Sequence, residues 1–186
     1  MAKKKITNVT SNTSKAVINQ RPINYDGNVK IKIMQGKNII KSMEIKNSGT
    51  MRLFQGIGYF LSGSTINLSD YKPRYISVGS SAVIVATDPS MTSLYNELDI
   101  SRILVDANNV SLNSYANSVT IPFTAVIPYT TIGSRPISEI GLFSTPKSDS
   151  LLARIIIPQN DWITLSAGQS MVIEWDLVIQ NSKELS

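Results

Sequence analysis

A mainly β fold, an antiparallel sandwich of jelly-roll or related type, is predicted by three features of this 186-residue chain. Apolar and polar residues alternate in several runs with the period of two that a half-buried strand requires. These runs recur at intervals of roughly ten residues, separated by Ser, Gly, Asn and Pro clusters, as strands of all-β domains do. Only one long stretch carries the 3.6-residue period of an amphipathic helix. With 42% hydrophobic and 17% charged residues, the chain has apolar material for a single core and too little charge to stay unfolded. No fixed-period repeat argues for a solenoid or propeller.

Residues 1–27 show no useful periodicity and read as an extended N-terminal arm, leaving 28–186 as one β-rich domain. Backbone in such an arm either remains solvated or finds hydrogen-bond partners on another subunit. Val29, Ile31 and Ile33 alternate with Lys30 and Lys32 in a strand, Gln35 to Asn38 turns, and Ile39 to Lys46 returns. Ser48-Gly-Thr50 offers caps to the helix, whose apolar side is Leu53, Phe54, Ile57, Phe60 and Leu61, with Gly63 as its stop. Gly56 and Gly58 each cost up to about 1 kcal/mol against Ala inside a helix, which points to close packing rather than to a phosphate loop.

Tyr75 to Val78 forms a strand ending at Gly79, and Ala82 to Ala86 is a candidate continuation of that edge. Asp88-Pro-Ser90 can open a short helical turn with Met91, Leu94, Tyr95 and Leu98 on its apolar side. Ile103 to Val105 is a short strand. Val119 to Ile127 is a longer one, and Pro122 marks it as an edge or a bulge. Ile137 to Phe143 and Leu151 to Ile157 form a hairpin around the loop 144–150, and Trp162 to Leu165 is brief. After the Ala167-Gly-Gln169 turn comes the strongest pattern, with Met171, Ile173, Trp175, Leu177 and Ile179 on one face and Glu174 and Asp176 on the other.

The composition also excludes chemistry. There is no His and no Cys, so Ser-His-Asp and Cys-His catalysis, thiolate metal sites and disulfides are closed to this chain. The basic start, Met1 to Lys5, is followed by polar residues rather than the apolar run of a secretory signal. No apolar block approaches the roughly 20 residues that span a bilayer, so a soluble product without a membrane partner is expected. The net charge of +5 is uneven: residues 1–50 carry nine Lys and Arg21 against Asp26 and Glu44. Attraction to nucleic acid or to an acidic partner surface is one reading. Solvent-facing strand positions for Lys30 and Lys32, a turn for Lys37 and a solubilising terminus at Lys3 to Lys5 is the other, favoured because residues 1–50 contain Tyr25 as their sole aromatic.

The conspicuous acids have structural readings. Glu174 and Asp176 share one strand face with ~6 to 7 Å between Cα atoms, a spacing a glycosidase could use, yet it is also that of any amphipathic strand's solvent side. Glu139, on an apolar strand, needs a cation if buried, and Arg135 or Arg154 could supply it. Asp88, Asp99 and Asp106 lack calcium-loop spacing. Tyr71, Tyr75, Trp162 and Trp175 could stack on a sugar, but Trp175 fits the core better. No catalytic, cofactor-binding or metal-binding residue is assigned, and no cofactor is expected.

One series of motifs resembles a pattern in bacteriophage tail, baseplate and fibre-attachment proteins. It consists of Ile137-Ser-Glu-Ile-Gly-Leu-Phe143, Leu151-Leu-Ala-Arg154 with Pro158, and Ile173-Glu-Trp-Asp-Leu-Val-Ile179. Upstream, Asn47-Ser-Gly-Thr50, Tyr75-Ile-Ser-Val-Gly79, Ala86-Thr-Asp88, Leu94, Glu97-Leu98 and Arg102 are similar to the same family's lead-in. The resemblance covers about residues 47 to 180, and the N-terminal arm departs from it. It implies a non-enzymatic virion protein, made in the host cytoplasm, that assembles as a homo-oligomer in the tail, baseplate, neck or fibre-attachment region. The alternatives are a capsid-associated coat protein whose basic arm contacts nucleic acid, and a carbohydrate-binding receptor-contact module.

Overall fold

The structure is a computed structural model that describes residues 23–63, 66–83, 86–105, 111–113, 118–147 and 149–181. Its strands are β1 (Ile23–Gln35), β2 (Asn38–Lys46), β3 (Ser48–Gly49), β4 (Tyr75–Gly79), β5 (Ile103–Leu104), β6 (Ser111–Asn113), β7 (Ser118–Pro128), β8 (Glu139–Phe143), β9 (Leu151–Ile156) and β10 (Gln169–Asn181). The helices are α1 (Met51–Leu61) and the single turn α2 (Tyr129–Ile132), with 3-10 turns at Leu68–Tyr71 and Gln159–Asp161. The strands form two five-stranded antiparallel sheets, ordered β2-β1-β10-β7-β6 and β3-β9-β8-β4-β5. The mainly β, sandwich-like class read from the sequence is the class observed.

Period-2 patterning sets the registers. Across the first sheet, Val29, Trp175 and Phe123 lie side by side, then Ile31, Ile173 and Ala125, then Ile33, Met171 and Ile127. All nine are buried, and they form one cluster with Ile76, Val78, Ile140, Leu142, Ala153 and Ile155 of the second sheet. A slip of one residue in any of these strands would turn its whole apolar set to solvent, so the register is strongly specified. Pro122 sits beyond the stretch of β7 that pairs with β6, which covers only Ser118 to Thr120, so its missing N–H interrupts no ladder on that side.

The middle of the second sheet is buried on both faces. Every residue of β8 is buried, and β9 is buried through Ile155. Leu94, Phe143 and Leu151, with Tyr75 and Met91 against them, make a second small cluster. Leu94 and Met91 belong to residues 86–102, a strap of irregular backbone laid over the face turned away from the main core.

Several sequence expectations are corrected. β1 begins at Ile23, inside the expected arm, because Ile23 to Gly27 pair with Leu177 to Asn181 of β10 and need no periodicity of their own; residues 1–22 lie outside the described residues. Ala82 and Val83 are a bend rather than strand, and residues 84 and 85 lie outside the described residues. The turn at Asp88 is not helical: its carboxylate accepts from Ser90 N (2.7 Å) and Ser90 Oγ (2.6 Å), closing an Asx turn that competes with helix. The short helical turn lies instead at α2. Trp162 to Leu165 contributes only a bridge, Ile163 to Ile137. β6, three residues long, is too short to show a period in the sequence.

Helix α1 also differs from expectation. Thr50 holds the N-cap position, but its hydroxyl donates to the carbonyls of Leu151 (2.8 Å) and Leu152 (3.1 Å), tying the helix start to β9 rather than capping it. Gly63, at φ +66°, is the expected left-handed stop. An added Cβ at Gly56 would lie 2.6 Å from Tyr71 Cβ, whereas at Gly58 it would meet nothing within 4 Å. Close packing therefore explains Gly56 and not Gly58. Of the expected apolar side only Leu53 is buried.

Candidate functional site

Most of the motifs that carry the resemblance meet at the strap and the sheet beneath it, while Ile173 to Ile179 stand apart on β10 of the first sheet. Glu139 and Arg154 stand on neighbouring strands with side chains only 1% exposed, joined by Nε and Nη2 donors at 2.8 and 2.7 Å. A buried carboxylate needs more than its counter-ion. Glu139 also accepts from the backbone N–H of Asn96 (2.8 Å) and Tyr95 (3.2 Å), which pins the strap to β8. Arg135, the other candidate partner, instead donates to the carbonyls of Ile132 (2.8 Å) and Thr131 (3.4 Å) at the end of α2.

Gly79 makes room for this contact. A Cβ there would sit 2.5 Å from Glu139 Oε1 and 2.8 Å from the Asn96 carbonyl. Around it, Ser80 N donates to Asn96 O (2.9 Å) and Leu98 N to Val78 O (2.9 Å), extending the edge of β4 by one bridge, Gly79 to Glu97. Ser138 Oγ accepts from Ser81 N at 2.7 Å. Gly141 leaves space in the same way for Leu94 and Leu151.

The far end of the strap is held by Arg102. Its guanidinium grips Glu97 with two parallel bonds of 2.7 and 2.8 Å, and Nη1 donates to Thr145 O and Ser150 Oγ, both at 3.0 Å. Its Cζ lies 3.6 Å from the centre of the Phe143 ring. One planar cation therefore ties the strap, the β8–β9 loop and the core aromatic together, which a lysine could not do. Burial acts to raise the pKa of Glu97, but the paired Arg102 guanidinium opposes it and the carboxyl is held below its ordinary value.

The other acids lie elsewhere. Glu174 and Asp176 occupy the outer face of the first sheet, as their alternation predicted. Glu174 is paired with Lys32 across β1, and Asn28 donates to Glu44. Asp176 is pushed above its usual value by partial burial, then by Glu174 and Glu44. The lysines of β1 thus alternate with acids across a mixed-charge face. Lys37 is in the β1–β2 turn, and Lys3 to Lys5 lie outside the described residues. Asp88 is exposed, with Ser90 lowering its pKa, and Asp106 is outside the described residues.

The four aromatics do not meet in a groove. Trp175 is in the core; Tyr71 lies under Arg52 and edge-on to Tyr59; Tyr75 lies under Arg74; Trp162 donates to Ile157 O at 3.2 Å. The Trp175 indole N–H is buried with no acceptor among the described residues. A small recess at the first sheet's edge, lined by Gly27, Asn28, Lys46 and Val178, contains none of the motif acids. No helix among the described residues is long and apolar enough to cross a membrane. The Arg102 stack on Phe143 escaped sequence reasoning, since the 40 residues between them conceal it; its signal was an Arg placed among the motif residues.

Comparison with protein-family models, curated proteins and solved structures finds no match to this chain.

Proposed function

We propose that this protein is a non-enzymatic structural component of a bacteriophage virion, present in repeated copies in the tail, baseplate, neck or fibre-attachment region. One observation carries the reading: Gly79, Glu97, Arg102, Glu139, Phe143 and Arg154, drawn from the motifs that resemble such proteins, brace one another and the strap in a framework that runs from the buried Glu139–Arg154 pair to the partly buried Glu97–Arg102 pair. Residues spent on bracing each other serve a rigid building block, whereas a catalyst would aim its charged groups at a cavity. The mixed-charge outer face, with Lys32 already engaged by Glu174, favours this over a nucleic-acid-contacting coat. The experiment is sedimentation of phage particles from cells expressing the chain, followed by mass spectrometry of the particle fraction. The protein is expected in that fraction at many copies per particle; its absence from every particle fraction would contradict the assignment.

A further inference from the structure

We propose that copies of the chain dock head to tail, the Ile39–Ile40 end of β2 in one copy seated on the exposed apolar side of α1 in the next. The proposal rests on the repeated-copy reading above and gives it an interface. At 100° per residue, Leu53, Phe60, Ile57, Leu61, Phe54, Gly58 and Met51 take up about half the circumference of α1. The chain's own core uses a narrow part of that arc, burying Leu53 and partly covering Ile57. Met51, Phe60 and Leu61 remain 52%, 70% and 67% exposed. A helix that is apolar well beyond the stripe its own core covers is built to be covered by something more. Met51, Leu61 and Phe54, itself 44% exposed, fall within about 80° of one another around the axis and make one apolar ridge, the kind of contiguous exposed patch that marks an interaction site.

The second patch lies at the sheet edge. Pairing of β1 with β2 shifts register between Ile33 and Met34, whose partners are Lys41 and Ile39, so Ile40 is the extra residue of a bulge. Bulges and lysines ordinarily protect an edge strand from association. Here the bulge instead leaves Ile39 and Ile40 at 55% and 53% exposure. Both patches are exposed in the same molecule, so neither covers the other within one copy.

Charge favours joining the two patches over pairing each with itself. Lys37 and Lys41 border the isoleucines. Exposed Asp88 borders the Met51 end of that ridge, on a turn bonded to α1 through Met51 N to Pro89 O (2.7 Å), whereas the Asp70 turn lies on the other side of the helix, where Arg52, Gly56 and Tyr59 meet Tyr71. Lys41 sits 3.5 Å from Asp161 in an exposed pair, the kind that exchanges partners at little cost. Contacts between unlike patches propagate into rings or filaments, the geometry of proteins repeated around an axis.

Two variants test this, Leu61→Asp and Ile40→Asp, each at an exposed position and checked for native circular dichroism. Light scattering is expected to show the wild type as a multimer, each variant alone as a monomer, and their equimolar mixture as a dimer and nothing larger, because the mixture retains one intact pair of patches. Retention of the multimer by either variant, or two monomeric variants that stay monomeric when mixed, would overturn the docking mode while leaving the repeated-copy reading in place. A monomeric wild type would overturn the docking mode, and its absence from particles as well would overturn both readings.

Discussion

Glu139 is the residue on which most of the second sheet's outer face depends, since it satisfies a cation and two strap amides at once. Removing one member of a buried ion pair typically costs about 3–5 kcal/mol because the other is left uncompensated. Arg154→Met should therefore lower stability by about that amount in urea denaturation. The double variant Glu139→Leu, Arg154→Met should lose less than the two single losses combined, while amide exchange at Tyr95 and Asn96 quickens. The pH dependence has opposite signs on the two sheets. Glu97, held below its ordinary pKa, contributes stability that is present above that ordinary value and lost as pH falls through the lowered one. Glu97→Gln should thus be destabilised at neutral pH and converge on wild type in acid. Asp176, raised, contributes stability present below its ordinary value and lost as pH rises through the raised one. Asp176→Asn should be more stable than wild type at neutral pH and lose that advantage in acid. The sequence made Glu139's need for a cation legible but left two candidates, because choosing Arg154 over Arg135 requires the β8–β9 register.

At the scale of elements, patterns enforced by burial on one face were legible and those set by distant contacts were not. β10 and β1 announced themselves because alternate residues face a core. The strap at 86–102 carries a helical apolar spacing, yet the Asx turn at Asp88 and the hydrogen bonds to β4 and β8 draw its backbone out of helix. The glycines separate these cases experimentally. Gly79→Ala would drive a methyl into Glu139 and the Asn96 carbonyl, and overpacking of this kind costs about 1–3 kcal/mol. Gly58→Ala meets open space and should stabilise α1 by up to about 1 kcal/mol. Thermal melts of the two variants should move in opposite directions.

Over the whole molecule, two sheets enclose one core, and the second sheet is braced again from outside by the strap. Fold class could be read from the chain because alternation and turn spacing are local properties of sequence. The framework around Glu139 and Arg102 could not, because its members come from five separate segments that only the sandwich topology brings together. That framework makes a stiff block, and the apolar side of α1 and the bulged end of β2 stay exposed on it. The most direct test is the mass of the purified wild-type chain by light scattering across a hundredfold range of concentration. The account predicts a defined species of several chains, or growth with concentration toward one; a single-chain mass at every concentration would contradict it.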